Sequence, residues 1–252
     1  MSKRDTAQRR HTILALLAEQ GEVSVDELSK ALSTSEVTIR KDLAALEKNG
    51  LLLRRYGGAV PLPQELINDN QPVSQYKQVI ARAAVGLIRE HARIIIDSGS
   101  TTAAMIPELG YKPGLVVMTN SLHVARALTE LEHEPVLLMT GGTWDPHSES
   151  FQGQVAEQVL RSYDFDQLFI GADGIDLERG TTTFNELLGL SRVMAEVSRE
   201  VIVMVEADKF GRRIPNLELP WSSIHTLITD DRLPEDVREQ LLARGIKLIV
   251  AS

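Results

Sequence analysis

Apolar positions along this chain follow two different patterns. In the first sixty residues they recur at helical spacing. Ile13, Leu14, Leu16 and Leu17 form a stripe that ends at Gly21, and Val25, Leu28 and Leu32 mark a short second helix begun by Ser24. Ile39, Leu43 and Leu46 define the inner face of a third helix, which ends at Asn49-Gly50. Ser33 with Glu36 three residues on has the form of a capping box, and Ser35 is a second candidate cap, so this helix is expected to start within 33–36. Leu51 to Val60 reads as strand, tight turn, strand. The order predicted for residues 1–60 is therefore that of a winged helix-turn-helix.

After Arg93 the pattern changes to short continuous apolar runs separated by helical stretches. The runs are Ile94–Ile96, Leu115–Met118, Val136–Met139, Leu168–Ile170, Val201–Val205, Leu227-Ile228 and Leu248–Val250. Continuous rather than alternating runs mean strands covered on both faces, hence a larger, largely parallel α/β domain, assigned to 74–252. Residues 61–73 are polar and broken by Pro61, Pro63 and Pro72, which predicts a linker. Ser74 to about Arg89 is an amphipathic helix, with Val79, Ile80, Ala83, Ala84, Leu87 and Ile88 on its apolar side.

Composition narrows the class. The chain has no cysteine, so thiolate metal sites, disulfides and cysteine nucleophiles are excluded. No run approaches the ~18 apolar residues of a membrane span, and the basic start lacks the apolar segment of a secretion signal, so a cytoplasmic protein without membrane contact is expected. The net charge of −8 is unevenly spread: ten Lys and Arg against eight Asp and Glu in residues 1–60, and seventeen against twenty-seven in the rest. Phosphate contact needs positive charge only where the DNA lies, so a basic arm on an acidic body is compatible with DNA binding. His123, His147 and His225 are too scattered to suggest a metal set, and no cofactor is implied.

With Ile39, Leu43 and Leu46 inward, about 100° per residue places Thr34, Val37, Thr38, Lys41, Ala45 and Lys48 on the opposite face, with Arg40 at its flank. Small, hydroxylated and basic residues there suit a helix in the major groove. Ser35, at the start of the helix, and Arg54, Arg55 and Tyr56, in the hairpin, complete the candidate DNA-binding set. Charged helix faces are more often merely solvated. Here the short helix, tight turn and basic hairpin occur in the order that a DNA reader requires.

In a parallel sheet, ligands bind past the carboxyl ends of the strands. Five such ends are polar: Asp97-Ser98-Gly99-Ser100-Thr101-Thr102, Thr119-Asn120-Ser121, Thr140-Gly141-Gly142-Thr143, Gly171-Ala172-Asp173-Gly174 and Asp208-Lys209-Phe210-Gly211. The first combines a glycine turn, hydroxyls and a helix start, a combination that favours a phosphate. Five together imply one shared crevice.

The segments Val23–Leu28, Ser35–Leu43, Leu46-Glu47 and Arg54–Ala59 resemble the DNA-binding signature of the DeoR/GlpR family of regulators, in which Ser-x-x-Thr-Ile-Arg-x-Asp-Leu forms the recognition helix. Lys41 stands where that family often has a second arginine, which keeps the charge but loses the bidentate fork. Roughly residues 75–250 resemble the family's C-terminal sensor, whose fold is similar to ribose-5-phosphate isomerase and whose effectors are usually sugar phosphates. The resemblance implies a repressor of carbohydrate genes, released from DNA by its effector, with an amino-sugar or hexose phosphate favoured. It further implies that Ser98, Gly99, Ser100, Thr101 and Thr102 hold the phosphate, Thr119 and Asn120 line the pocket, Asp173 binds sugar hydroxyls and Lys209 supplies a cation. Asp97, Gly141, Gly142, Gly174 and Glu186 complete the candidate effector set. One segment departs from the family: Glu206-Ala207-Asp208-Lys209-Phe210 replaces the common Asp-x-Ser-Lys-Phe.

The competing reading is a sugar-phosphate isomerase with an appended DNA-binding domain, using Glu186, Asp173 and Lys209 as general base and polarising groups. Against it, the isomerases resemble Gly-Ala-Asp-Glu where this chain has Gly171-Ala172-Asp173-Gly174. A single winged helix-turn-helix buries little DNA, so a homodimer or homotetramer is expected.

Overall fold

A computed structural model of the chain describes residues 3–48, 52–55, 57–61, 73–146, 148–185, 188–212, 214 and 216–252. It forms two compact units, Met1–Pro72 and Val73–Ser252.

The first unit runs α1 (Lys3–Gln20), β1 (Val23–Ser24), α2 (Val25–Ala31), α3 (Glu36–Lys48), β2 (Leu53–Arg55) and β3 (Gly58–Val60). Its core gathers Ile13, Leu17, Leu28, Ile39, Leu43 and Leu46 with Val23, Leu52 and Ala59. β3 pairs antiparallel with both β2 and β1, so the wing is anchored back onto the start of α2. Only glycine fits at 58, because a Cβ there would lie 2.2 Å from the Val23 carbonyl oxygen.

The capping box sits one helix earlier than 33–36. Ser24 Oγ accepts from the Glu27 amide at 3.1 Å, and the Glu27 carboxylate accepts from the Ser24 amide at 2.9 Å. Ser35 caps α3, accepting from the Thr38 amide at 3.3 Å. Ser33 cannot, because its φ of +47° is left-handed whereas an N-cap residue is extended.

In the second unit, β4 (Arg93–Ile96), β5 (Val116–Thr119), β6 (Val136–Met139), β9 (Phe165–Ile170), β12 (Ser198–Met204), β14 (Thr226–Asp230) and β15 (Lys247–Ala251) form one sheet. Its order is β15-β14-β12-β9-β4-β5-β6 and every pairing is parallel. Alternate strand residues enter separate cores. Ile94, Ile96, Val117, Phe169 and Ile202 pack beneath α4 (Gln75–Val85), the short α5 (Ser100–Ala103) and α6 (Leu122–Thr129). Ile95, Met118, Leu168, Ile170 and Val201 pack beneath α7 (Gln154–Arg161), α8 (Gly189–Glu196) and α9 (Glu235–Ala243). Both faces being dry is why the runs are continuously apolar, and each fully buried Ile or Leu contributes about 1.5–3 kcal/mol.

Helix α4 ends at Gly86 rather than near Arg89, and its innermost residues are Ile80, Ala81, Ala84 and Val85. Leu87 and Ile88 follow in turns yet still join the core. The parallel sheet is not the whole of the unit. β7 (Thr143–Asp145) and β8 (Ser150–Gln152) form a hairpin, and β10 (Gly174–Asp176), β11 (Gly180–Thr183) and β13 (Asn216–Pro220) form an antiparallel sheet. These strands are three to five residues long and none holds a continuous run of aliphatic residues, so no apolar run announces them.

Candidate functional site

On α3, Val37 is 59% exposed, Lys41 is exposed and Thr38 is half-buried, as is Thr34 in the turn that precedes the helix. The Ser35 hydroxyl is taken up by the cap and lies 2.9 Å from Thr38 Oγ1, so it holds the helix start. Arg40 pairs with Glu36 at 2.6 Å and Arg54 with Glu47 at 3.7 Å. Exposed pairs of this kind are worth at most about 1 kcal/mol, so either guanidinium can transfer to a phosphate. Tyr56 and the side chains of Lys48 and Arg55 lie outside the described residues. A buried residue fixes the angle of α3: Asp42, 2% exposed, accepts from Nε of both Arg9 and Arg10 on α1, the latter at 2.9 Å.

In the second unit the chain lays down β4, then β5 and β6 outward on one side, and returns to place β9 against the other side of β4. The connections therefore diverge between β4 and β9, where the carboxyl ends of a parallel sheet leave a crevice. Its walls are residues 97–102 after β4 and 171–174 after β9. The Asp97 amide donates to the Phe169 carbonyl at 3.0 Å, and the Ser98 amide donates to Asn120 Oδ1 at 3.1 Å. Asn120 is 1% exposed, and its Nδ2 has no hydrogen-bond partner among the described residues. That amide is near enough to favour the charged form of Asp97 without making a well-formed hydrogen bond to it.

Three carboxyl groups converge on the crevice. Loss of solvent pushes the Asp97 carboxyl up to about 6, against the opposing effect of the Ser98 amide and with a smaller contribution from the charge of Asp173. Asp173 accepts from Thr183 Oγ1 at 2.7 Å and from the Phe184 amide at 3.0 Å. Glu218, which sequence reasoning missed, enters from β13. Burial first and the charge of Asp97 second push its carboxyl up to about 8, although Ser191 Oγ donates to it at 2.8 Å. The one sequence signal was a lone acid between Leu217 and Leu219.

Several expected ligand contacts have local work instead. The Thr102 hydroxyl is buried and donates to the backbone carbonyls of Asp97 and Gly99, and Thr119 Oγ1 is buried and accepts from the Ser121 amide. These two brace the loops, leaving Ser98, Gly99, Ser100 and Thr101 at the surface of the first. Gly99, with a φ of +138°, makes the turn that a side chain would strain. Gly141 and Gly142 follow β6, and a Cβ on Gly142 would lie 2.6 Å from the Gln152 carbonyl oxygen. At Gly174, which opens β10, a Cβ would lie 2.9 Å from both Thr182 Oγ1 and Ile214, so the position has no room for an acidic side chain. Lys209, 3% exposed, lies at the carboxyl end of β12 and already has an interaction partner. Glu186 is outside the described residues. Among the described residues, no group of His, Asp or Glu could hold a metal ion and no helix is long and apolar enough to cross a membrane.

A winged helix-turn-helix joined to a parallel α/β unit defines a class, the DNA-binding transcription regulators. A DeoR-like helix-turn-helix domain model matches residues 9–65, and a DeoR C-terminal sensor domain model matches residues 73–231. The chain belongs to the DeoR family of transcription regulators. It is 40% identical to a protein provisionally named the aga operon transcriptional repressor of Escherichia coli O157:H7, over 97% of this chain and 94% of that one. It is 32% identical to the transcriptional regulator GlpR of Haloferax volcanii, over 96% and 97% of the two chains. Among solved structures, ribose-5-phosphate isomerase A of Methanocaldococcus jannaschii is similar over 53% of each chain, at 21% identity and a TM-score of 0.40.

Proposed function

We propose that this chain is a repressor of a carbohydrate-metabolism operon whose grip on operator DNA is controlled by a phosphorylated sugar. In this reading residues 1–60 bind DNA, residues 61–73 link, and residues 74–252 bind the effector and assemble the chain into a dimer or tetramer in the cytoplasm. The protein does no chemistry on the sugar. The observation that carries the effector site is the divergence of connections between β4 and β9, which gathers the 97–102 loop, Asn120 with its unpartnered Nδ2, and the carboxyls of Asp97 and Asp173 at one crevice. Amides and hydroxyls suit a phosphate, carboxyls suit sugar hydroxyls, and an amino-sugar or hexose phosphate has both. Ligand and operator then oppose each other by linkage, each weakening the other by the same factor, typically about 5–150-fold.

The test is a gel-shift assay on operator DNA selected from random sequence, with and without a panel of sugar phosphates. Arg40→Ala with Lys41→Ala should remain folded and lose specific binding, whereas Asn120→Ala should bind operator as the parent does and lose the response to the sugar phosphate. Operator binding by the double variant would remove the DNA assignment, and a parent-like response in Asn120→Ala would move the effector elsewhere.

A further inference from the structure

The loop after β4 carries hydroxyls and amides but no charge complementary to a phosphate. The structure supplies one from a distant part of the sequence. Lys77, near the start of α4, points Nζ to within 2.9 Å of Ser100 Oγ, a contact across 23 residues. The same ammonium lies 3.8 Å from the Glu206 carboxylate, beyond hydrogen-bond distance, and both side chains are nearly buried, at 13% and 12% exposure. Glu206 is itself held elsewhere. It accepts from Ser74 Oγ at 2.8 Å and lies 3.8 Å from Arg232. Arg232 in turn pairs with Asp230 at 2.6 Å and stacks on the Tyr76 ring at 3.5 Å.

We propose that Lys77 is a ligand for the effector's phosphate, and that Glu206 is the internal anion the phosphate displaces. This rests on the crevice reading above. An ammonium has three donors, and only one here makes a hydrogen bond, to a neutral hydroxyl. A phosphate on the Ser98–Ser100 segment would offer it shorter, charge-assisted hydrogen bonds than the loose pair with Glu206. The buried, unpartnered Asn120 Nδ2 beside the same loop is an independent sign that this edge of the crevice is built to receive an acceptor. Release of Glu206 has a direction. Glu206 also holds Ser74, whose Oγ caps α4 by accepting from the Lys77 amide at 3.2 Å, so phosphate binding alters the first turn of the helix that the linker enters.

The experiment is calorimetric titration of the full chain with glucosamine 6-phosphate, fructose 6-phosphate and inorganic phosphate, each sugar phosphate beside its unphosphorylated sugar. Lys77→Gln should weaken the phosphorylated ligand by about ten-fold or more, since a hydrogen bond to a charged group is worth at least about that factor, and leave the free sugar unchanged. Glu206→Gln should strengthen it several-fold, because the competing anion is gone. A purely structural role for the pair predicts that both variants weaken binding together. If the parent binds and Lys77→Gln binds equally well, or if the two variants weaken binding alike, this assignment falls while the crevice stands. If the parent binds none of the phosphates, both fall.

Discussion

Glu218 makes the stability of the second unit depend on pH in a direction opposite to that of most carboxylates. An unfolded chain releases this proton near pH 4.5, whereas burial and the charges of Asp97 and Asp173 hold it in the folded chain to about pH 8. Between these limits the folded state binds the extra proton, so stability falls as pH rises through the window. Each pH unit is worth up to about 1.4 kcal/mol, which bounds the loss between pH 6 and pH 8 at roughly 3 kcal/mol. The carboxyl is only 8% exposed, so solvent screening takes little from that figure. Asp97 behaves in the same sense at lower pH, losing its contribution by about pH 6.

Glu218→Gln keeps the shape and removes the titration. Thermal unfolding of parent and variant by circular dichroism, from pH 6 to pH 9 at constant ionic strength, reads this group together with its coupling to Asp97 and Asp173, the titrations away from the crevice being common to both. At ~2–4 °C per kcal/mol for a unit of this size, the variant's melting temperature should gain roughly 5–10 °C on the parent across the range. Parallel curves would show that Glu218 does not carry a proton at neutral pH, and the argument from burial and neighbouring carboxyls would be wrong.

Two further outcomes concern the first unit. Asp42→Asn removes the buried charge facing Arg9 and Arg10 and turns one of its two acceptor oxygens into an amide donor, and should destabilise the unit by about 3–5 kcal/mol, the usual cost of breaking a buried pair, read as an earlier melting transition. An unchanged transition would mean that the arginines re-solvate without strain. Ser24→Ala should cost about 1 kcal/mol, and in a double-mutant cycle with Glu27→Ala the losses should fall short of additivity, because each side chain serves the other's backbone amide. Strict additivity in chemical denaturation would dissolve the capping box into two unrelated contacts.

Legibility followed the number of faces a residue had to satisfy. The seven apolar runs were readable because each strand meets a dry core on both sides, and the inner face of α3 because Ile39, Leu43 and Leu46 meet one core at helical spacing. The caps were only half readable. Ser24-x-x-Glu27 and Ser33-x-x-Glu36 have the same form, and what separates them is the left-handed backbone at Ser33, imposed by the turn. Glu218 was hidden because Leu-Glu-Leu is also the pattern of a half-exposed strand, whose acid points to solvent. Here the second face of β13 is closed by the crevice, so the acid points to Asp97 and Asp173 instead. Lys77 was hidden for the opposite reason: on a helix whose apolar face is plain, a lysine reads as solvated until the sheet brings Ser100 beside it.

The buried acids of the two units differ in what surrounds them. Asp42 has two arginines, so its charge is compensated within the unit and its effect is to fix α1 against α3. The dominant influences on Asp97 and Glu218 are burial and other carboxyls, which disfavour the charged form of each. A fold that placed such groups together only for stability would do better with apolar residues of similar size, as buried polar clusters generally show. Local conflicts that persist in an otherwise consistent fold are concentrated at functional sites, because a ligand can relieve what the empty protein cannot. A sugar phosphate bound as proposed would do so, its hydroxyls donating to the carboxylates and its phosphate drawing Lys77 towards the same loop. The crevice between β4 and β9 thus keeps Asn120 Nδ2 without a hydrogen-bond partner beside carboxyls whose charged forms burial disfavours, and these groups match the two ends of one class of molecule.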